Sequence, residues 1–442
     1  MPRAISGMLG RLMLAGVRER WALPIAIFAL CAAIYVATLG PRVRGLSDNA
    51  HFVYLADSLL HGELALRAPR PPGDNDWAHY GGRWYVSFPP FPALLIAPLV
   101  AIWGTHVWDR LFWAIIAGLA PALLYVLLRR LREQGASERS LRDDLALTTL
   151  FAVGSAYYYT AVQGTVWFAA HVVASALTAL YVLWALDARR PLLAGVALAL
   201  AFLTRPTAVL LGIFFVVEAL ASARRPGAAP ATRLRELLPG LDYGAALRRL
   251  ALFALPLIAA LALAMWFNAA RFDDPFEFGH SHLRIRWRSR IDTWGLFNYH
   301  YLARNLAVML TSLPWLSAQP PYLMISRHGL ALWITTPALL LVLWPKRRSL
   351  LLTALALSAA AVALADLCYQ NSGWVQFAYR FSLDYAIALF ALLALGGRRF
   401  GKRFLALLVV SIAINLFGAV TFDRVHRFYD SDATQRAIFQ PD

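Results

Sequence analysis

Long apolar stretches separated by short, arginine-containing polar segments run through almost the whole chain. Stretches of about 20 apolar residues span a bilayer as a helix. That length places helices near 21–40, 108–128, 145–162, 166–186, 191–203, 206–222, 250–268, 328–345, 350–367, 380–397 and 403–421. The stretch 191–222 reads as a hairpin broken at Thr204-Arg205-Pro206. A twelfth apolar stretch, 88–104, carries Pro89, Pro90, Pro92 and Pro98. The bias of cationic residues to the cytoplasmic side decides it. If 88–104 does not cross, the basic clusters at 3–20, 129–142, 189–190, 224–249, 346–348 and 398–403 share one face. If it crosses, five arginines from Arg129 to Arg142 change sides and every later cluster follows. The pattern therefore predicts an all-α polytopic membrane protein with about eleven transmembrane helices, 88–104 lying as a juxtamembrane or re-entrant helix.

The predicted organisation is one transmembrane domain, 1–421, with a short extracytoplasmic tail, 422–442. Arg3, Arg11, Arg18 and Arg20 precede the first stretch, which reads as an uncleaved first span with a cytoplasmic N-terminus. Two long loops, 41–107 and 269–327, fall on the outer face, where the ionisable residues gather.

Composition agrees with this reading. The 442 residues are 60% hydrophobic and 15% charged, where a soluble chain carries about 25% charged residues. Disorder and a disulfide scaffold are excluded. The net charge of +17 lies between apolar runs, not along a polar face, so a nucleic-acid partner is not expected. Cys31 and Cys368 offer no metal-ligand spacing. Only two of the 42 cationic residues are lysine, a bias that suggests a bacterial genome and hence a cytoplasmic (inner) membrane.

The first outer loop opens Ser47-Asp48-Asn49-Ala50-His51. Phe52, Leu55, Ala56, Leu59 and Leu60 form an apolar stripe at helical spacing, predicting a helix flat in the interface. Its phase puts Asp48 on the first turn, facing the bundle; the competing role for Asp48 is a helix cap. Further on, His79-Tyr80-Gly81-Gly82-Arg83-Trp84-Tyr85 contains a glycine turn among aromatic and cationic residues. Such residues suit sugar stacking and phosphate contact, or an interfacial aromatic belt. Arg205 interrupts an apolar run, a costly place for a charge unless it is paired or functional; Asp48, Asp384 or a lipid head group are its candidate partners. His171 lies inside an apolar helix, as a packed histidine or a substrate contact. Arg284, Arg286, Arg288 and Arg290 alternate, which on an extended strand shares one face.

Several stretches in order resemble one family. They are Ser47-Asp48 with the helix to Gly62, Phe88-Pro89-Pro90, Leu203-Thr204-Arg205-Pro206-Thr207, Asn268-Ala269-Ala270-Arg271-Phe272 through Glu277 to Gly279, and Gln376-Phe377-Ala378-Tyr379-Arg380 through Asp384. The chain resembles the GT-C superfamily of integral-membrane glycosyltransferases, in particular bacterial members similar to protein O-mannosyltransferases (family 39-like). It departs from them at Phe88, where many relatives have Lys, and at 163–167, where an acidic residue is often found. The resemblance implies a polyprenyl-phosphate-linked sugar donor, an unidentified glycan, lipid or protein acceptor, and reaction at the extracytoplasmic face. It implies Asp48 as general base and Arg83, Arg205 and Arg380 as phosphate partners. His51, His79, Tyr85, His171, Arg271, Glu277, Gln376 and Tyr379 join them as substrate contacts. It admits a divalent cation as cofactor, although no metal ligands are identified. The competing functions are a lipid-sugar flippase and a non-catalytic membrane partner in polysaccharide assembly.

Overall fold

The computed structural model describes residues 18–71, 75–285 and 287–429. Arg3, Arg11, Arg286 and most of the predicted tail lie outside them. The protein is mostly helical. Helix α1 (Leu23–Leu39) leads into α2 (His51–Leu60), a hairpin of β1 (Trp77–Tyr80) and β2 (Arg83–Val86), and α3 (Phe91–Trp103). Then follow α4 (Asp109–Ala117), α5 (Leu119–Glu133), α6 (Leu141–Val153), α7 (Ala156–Ala161), α8 (Val166–Ala185) and α9 (Pro191–Phe202). Next come α10 (Gly212–Ser222), α11 (Tyr243–Phe272), α12 (Arg288–Trp294) and α13 (Leu302–Thr311). The chain closes with a two-residue-strand hairpin, β3 (Trp315–Leu316) and β4 (Leu323–Met324), then α14 (Leu332–Thr335), α15 (Leu350–Leu367), α16 (Ala386–Leu395) and α17 (Lys402–Thr421).

Every one of the eleven predicted stretches carries helix. Among the described residues six helical segments are long and apolar enough to cross a membrane: Arg20–Val43, Asp109–Glu133, Val166–Ala188, Tyr243–Phe272, Leu350–Leu367 and Lys402–Thr421. The other stretches are shorter or broken, and the breaks have local causes. Arg205 precedes Pro206, and the proline ring pushes it to extended backbone (φ −140°, ψ 101°). The chain resumes as a 3₁₀ turn, Pro206–Leu211. Thr336 before Pro337 likewise leaves the helical region (φ −140°, ψ 70°). Ser155 caps the N-terminus of α7, accepting from the Tyr157 amide at 3.2 Å.

Helix α8 runs through the centre of the bundle with most of its residues buried. Helices α1 and α11 instead expose Ile25, Leu30, Leu255, Ile258 and Trp266. Apolar side chains exposed on outer helices around a buried central one suit a lipid surround, and the protein is a multi-pass membrane protein.

Helices α9 and α11 approach at Gly195, where an added Cβ would run into the Phe253 carbonyl oxygen and lie 2.6 Å from Pro256 Cγ. Backbone cannot yield cheaply there. Gly195→Ala is expected to destabilise the protein by about 1–3 kcal/mol, read as a lower thermal midpoint in detergent.

Candidate functional site

The break at Thr204–Thr207 and the two long loops meet at one cavity of about 200 Å³. Loop 41–107 contributes Asp76, Ser87, Phe88 and Pro89. Helix α8 contributes Trp167 and Ala170, and the α9 break contributes Thr204 to Thr207. Loop 269–327 supplies Phe278, His280, Leu283, Trp287, Leu296 and Phe297. The end of α15 and the segment after it add Asp366, Tyr369, Gln370, Asn371, Arg380 and Phe381.

Two arginines face this space. Arg205 donates through Nε to both carboxylate oxygens of Asp384, at 3.0 and 3.2 Å, and through Nη2 to Oδ2. Its Nη1 makes no hydrogen bond among the described residues. Arg380 is 3% exposed and donates from Nη1 to the Val375 carbonyl at 3.2 Å, leaving Nε buried without a partner among the described residues. Both guanidinium groups lie against the Phe381 ring, at 5.3 and 5.6 Å. Unspent N–H groups at a cavity wall favour an anion, and planar guanidinium suits phosphate.

Two carboxylates accompany them. Asp76 accepts from the Trp167 indole at 2.9 Å through Oδ2. Its backbone is left-handed (φ 63°), a conformation aspartate tolerates better than most residues. Burial pushes the Asp76 carboxyl up to about 6, against the lowering effect of the Trp167 hydrogen bond and of Arg380. A carboxylate poised near neutral pH is suited to general-base work. Asp366 is buried, with Oδ2 lacking a partner among the described residues. His280 is held neutral at physiological pH, because burial pulls its pKa down to about 4.

Of the predicted site residues, the structure brings only Arg205 and Arg380 to the cavity wall. His171 stands one residue behind it, fully buried, with Nδ1 3.0 Å from Asp384. The intramembrane partner of Arg205 is thus Asp384.

Asp48 lies elsewhere. Helix α2 begins at His51, so Asp48 sits in the preceding turn and the helical phase does not apply to it. Left-handed Asn49 (φ 56°) turns the chain, leaving the Asp48 side chain 79% exposed and 3.3 Å from Arg110. It is exposed rather than buried in the bundle, and it is not the helix cap, since Ala50 occupies that position.

The other predicted contacts are held in local packing. His51 is buried and stacked on Trp77 at 3.9 Å, and burial lowers its pKa to about 4. His79 accepts from Arg284 at 3.0 Å, away from the cavity. Arg83 is exposed on β2. Tyr85 packs edge-on against Phe272. Arg271 ties α11 to β2 through the Val86 carbonyl at 2.6 Å. Glu277 accepts from the Gly279 amide at 2.6 Å and from Ser281, closing its own loop. Gln376 braces buried backbone, donating to the His328 and Ser372 carbonyls and accepting from the Arg380 amide. Tyr379 is buried off the cavity wall.

The arginine run does not form a strand: Arg288 and Arg290 lie on α12, where Arg288 pairs with Asp292 one turn on at 2.7 Å. Among the described residues no three His, Cys, Asp or Glu side chains converge.

Sequence reasoning missed Asp76, His280 and Asp366. Asp366 carried a usable signal, a carboxylate inside an apolar run, the same signal that picks out Arg205. Asp76 carried none, because its place on the wall depends on how the β1–β2 hairpin docks against Trp167.

Residues 87–234 match the family described as dolichyl-phosphate-mannose-protein mannosyltransferase. No curated protein matches the sequence. Among solved structures the chain is similar to ArnT from Cupriavidus metallidurans, solved bound to undecaprenyl phosphate. The TM-score is 0.50 at 14% identity, over 88% of this chain and 62% of that one. It is also similar to the archaeal oligosaccharyltransferase AglB from Archaeoglobus fulgidus, solved with an inhibitory peptide and a dolichol-phosphate. There the TM-score is 0.46 at 14% identity, over 94% of this chain and 57% of that one. The chain therefore spans about six-tenths of the length of these structures. The ArnT likeness is one of fold.

Proposed function

We propose that this GT-C-like membrane protein is a glycosyltransferase that moves a sugar from a polyprenyl-phosphate donor to an acceptor hydroxyl. The observation that carries the reading is the cavity itself, where two arginines with unspent N–H groups stand with a base-competent carboxylate. The reaction runs at the extracytoplasmic face of a bacterial inner membrane, on an eleven-span bundle with a cytoplasmic N-terminus.

The chemistry follows from charge. The acceptor oxygen attacks the anomeric carbon, and the bond from that carbon to the phosphate oxygen breaks with its electron pair going to the phosphate. The phosphate passes from one negative charge toward two, and Arg205 and Arg380 stabilise what develops. The acceptor proton passes to Asp76. Phe88, Trp287, Phe297 and Tyr369 offer apolar faces for the sugar ring and the first isoprene units. Asp48 keeps the position that the family resemblance gives the base, but its exposure and its pairing with Arg110 favour Asp76 for proton removal.

A liposome assay separates this function from its rivals. Purified protein supplied with radiolabelled polyprenyl-phosphate sugars and membrane extract is expected to release polyprenyl phosphate and label an acceptor. Movement of intact donor between leaflets without bond cleavage would identify a flippase instead, and neither result would leave an assembly partner.

A further inference from the structure

Behind Arg205, on the side away from the cavity, a polar chain runs into the apolar core. Asp384 accepts from Arg205 on one side and from His171 on the other, with His171 Nδ1 at 3.0 Å. A carboxylate can only accept, so the imidazole carries its proton on Nδ1. His171 is 0% exposed and the Asp384 side chain 1%. Neither lines the cavity. The three residues come from three separate elements: α8, the 3₁₀ turn Arg380–Asp384, and the break after α9.

This chain fixes which edge of the guanidinium is available. Asp384 holds the Nε and Nη2 edge, so the group cannot turn about its own axis, and the N–H groups left over are those of Nη1 and the second one of Nη2. Arg205 remains 22% exposed by side chain. His171 Nε2 is buried without a partner among the described residues. An unsatisfied buried nitrogen is unfavourable, and leucine would fill the space without it. What the imidazole adds over leucine is the bond to Asp384.

We infer that His171 is a positioning residue that locks Asp384 and thereby aims Arg205 at the phosphate of the lipid-linked donor. The inference rests on the reading of the cavity as the donor-phosphate site. His171 touches no substrate; it acts through Asp384.

The test uses the full-length protein in detergent and undecaprenyl phosphate as the probe. Binding is followed by the fluorescence of the tryptophans, two of which, Trp167 and Trp287, line the cavity. His171→Leu is expected to weaken binding about tenfold or more, since a charge-assisted contact loses its alignment. His171→Asn places an amide N–H near the Nδ1 position and is expected to stay within about threefold of wild type. His171→Leu combined with Arg205→Gln should bind no worse than Arg205→Gln alone, because both act on one contact. Thermal midpoints confirm that each variant is folded, and His171→Ala, which also removes the donor to Asp384 and carries the same expected loss, replaces the leucine variant if that one is not. Equal binding by wild type and His171→Leu, no rescue by asparagine, or additive losses would overturn the inference while leaving the cavity assignment standing. No binding by wild type would overturn the cavity assignment and this inference with it.

Discussion

Asp76→Asn is expected to slow sugar transfer by about a hundredfold to ten-thousandfold, the usual contribution of a positioned general base. Asparagine keeps the size of the side chain and can still accept from the Trp167 indole, so the loss should fall on turnover more than on donor binding. The pH profile gives the sharper signature. The base works ionised, and burial holds its pKa at about 6. Wild-type kcat/KM should therefore rise with pH through about 6 and level off above it. The residual rate of Asp76→Asn should lack that limb. Stability carries the opposite sign. A carboxyl whose folded pKa is raised binds its proton more tightly in the native state, so stability falls as pH rises from near 4 through about 6. The variant should lose this dependence and be no less stable than wild type at pH 8.

Arg380→Met is expected to cost about a hundredfold to a thousandfold in transfer, the scale of one lost electrostatic stabiliser of a developing charge. Lysine should not rescue it, because a point charge on a flexible stem cannot both hold the Val375 carbonyl and present a planar edge to phosphate. Two further readouts distinguish this from general damage. Arg380 has no salt-bridge partner among the described residues, and a buried charge without one is costly, so the thermal midpoint should hold. Arg380 also lowers the pKa of Asp76. Its removal should move the rising limb of the pH profile above its wild-type position.

The architecture was legible because membranes impose a simple length rule on apolar runs, and all eleven stretches contain helix. What length alone could not show was where helices stop within a run. The break at Pro206 was read from the sequence; those at Pro337, within the stretch 328–345, and at Gly154-Ser155, within 145–162, were not. The hairpin around Gly81-Gly82 was readable from its turn residues. At the site, Arg205 and Arg380 were legible by different routes: Arg205 stands out as a charge in an apolar run, whereas Arg380 came from the family resemblance. Asp48 illustrates the limit. Its predicted orientation depended on helical phase, and three residues of turn before His51 were enough to detach it from that phase. Asp76 was hidden for the converse reason, since its role comes from the docking of a loop onto α8. His171, readable as either packed or functional, turns out to be buried and yet joined to the cavity through Asp384.

The most direct measurement is the rate of sugar transfer by Asp76→Asn and Asp48→Asn side by side, in the same liposomes and at matched protein levels. The cavity account predicts that Asp76→Asn is nearly inactive while Asp48→Asn stays close to wild type. An active Asp76→Asn together with an inactive Asp48→Asn would contradict it and move the reaction to the Asp48–Arg110 side of the molecule.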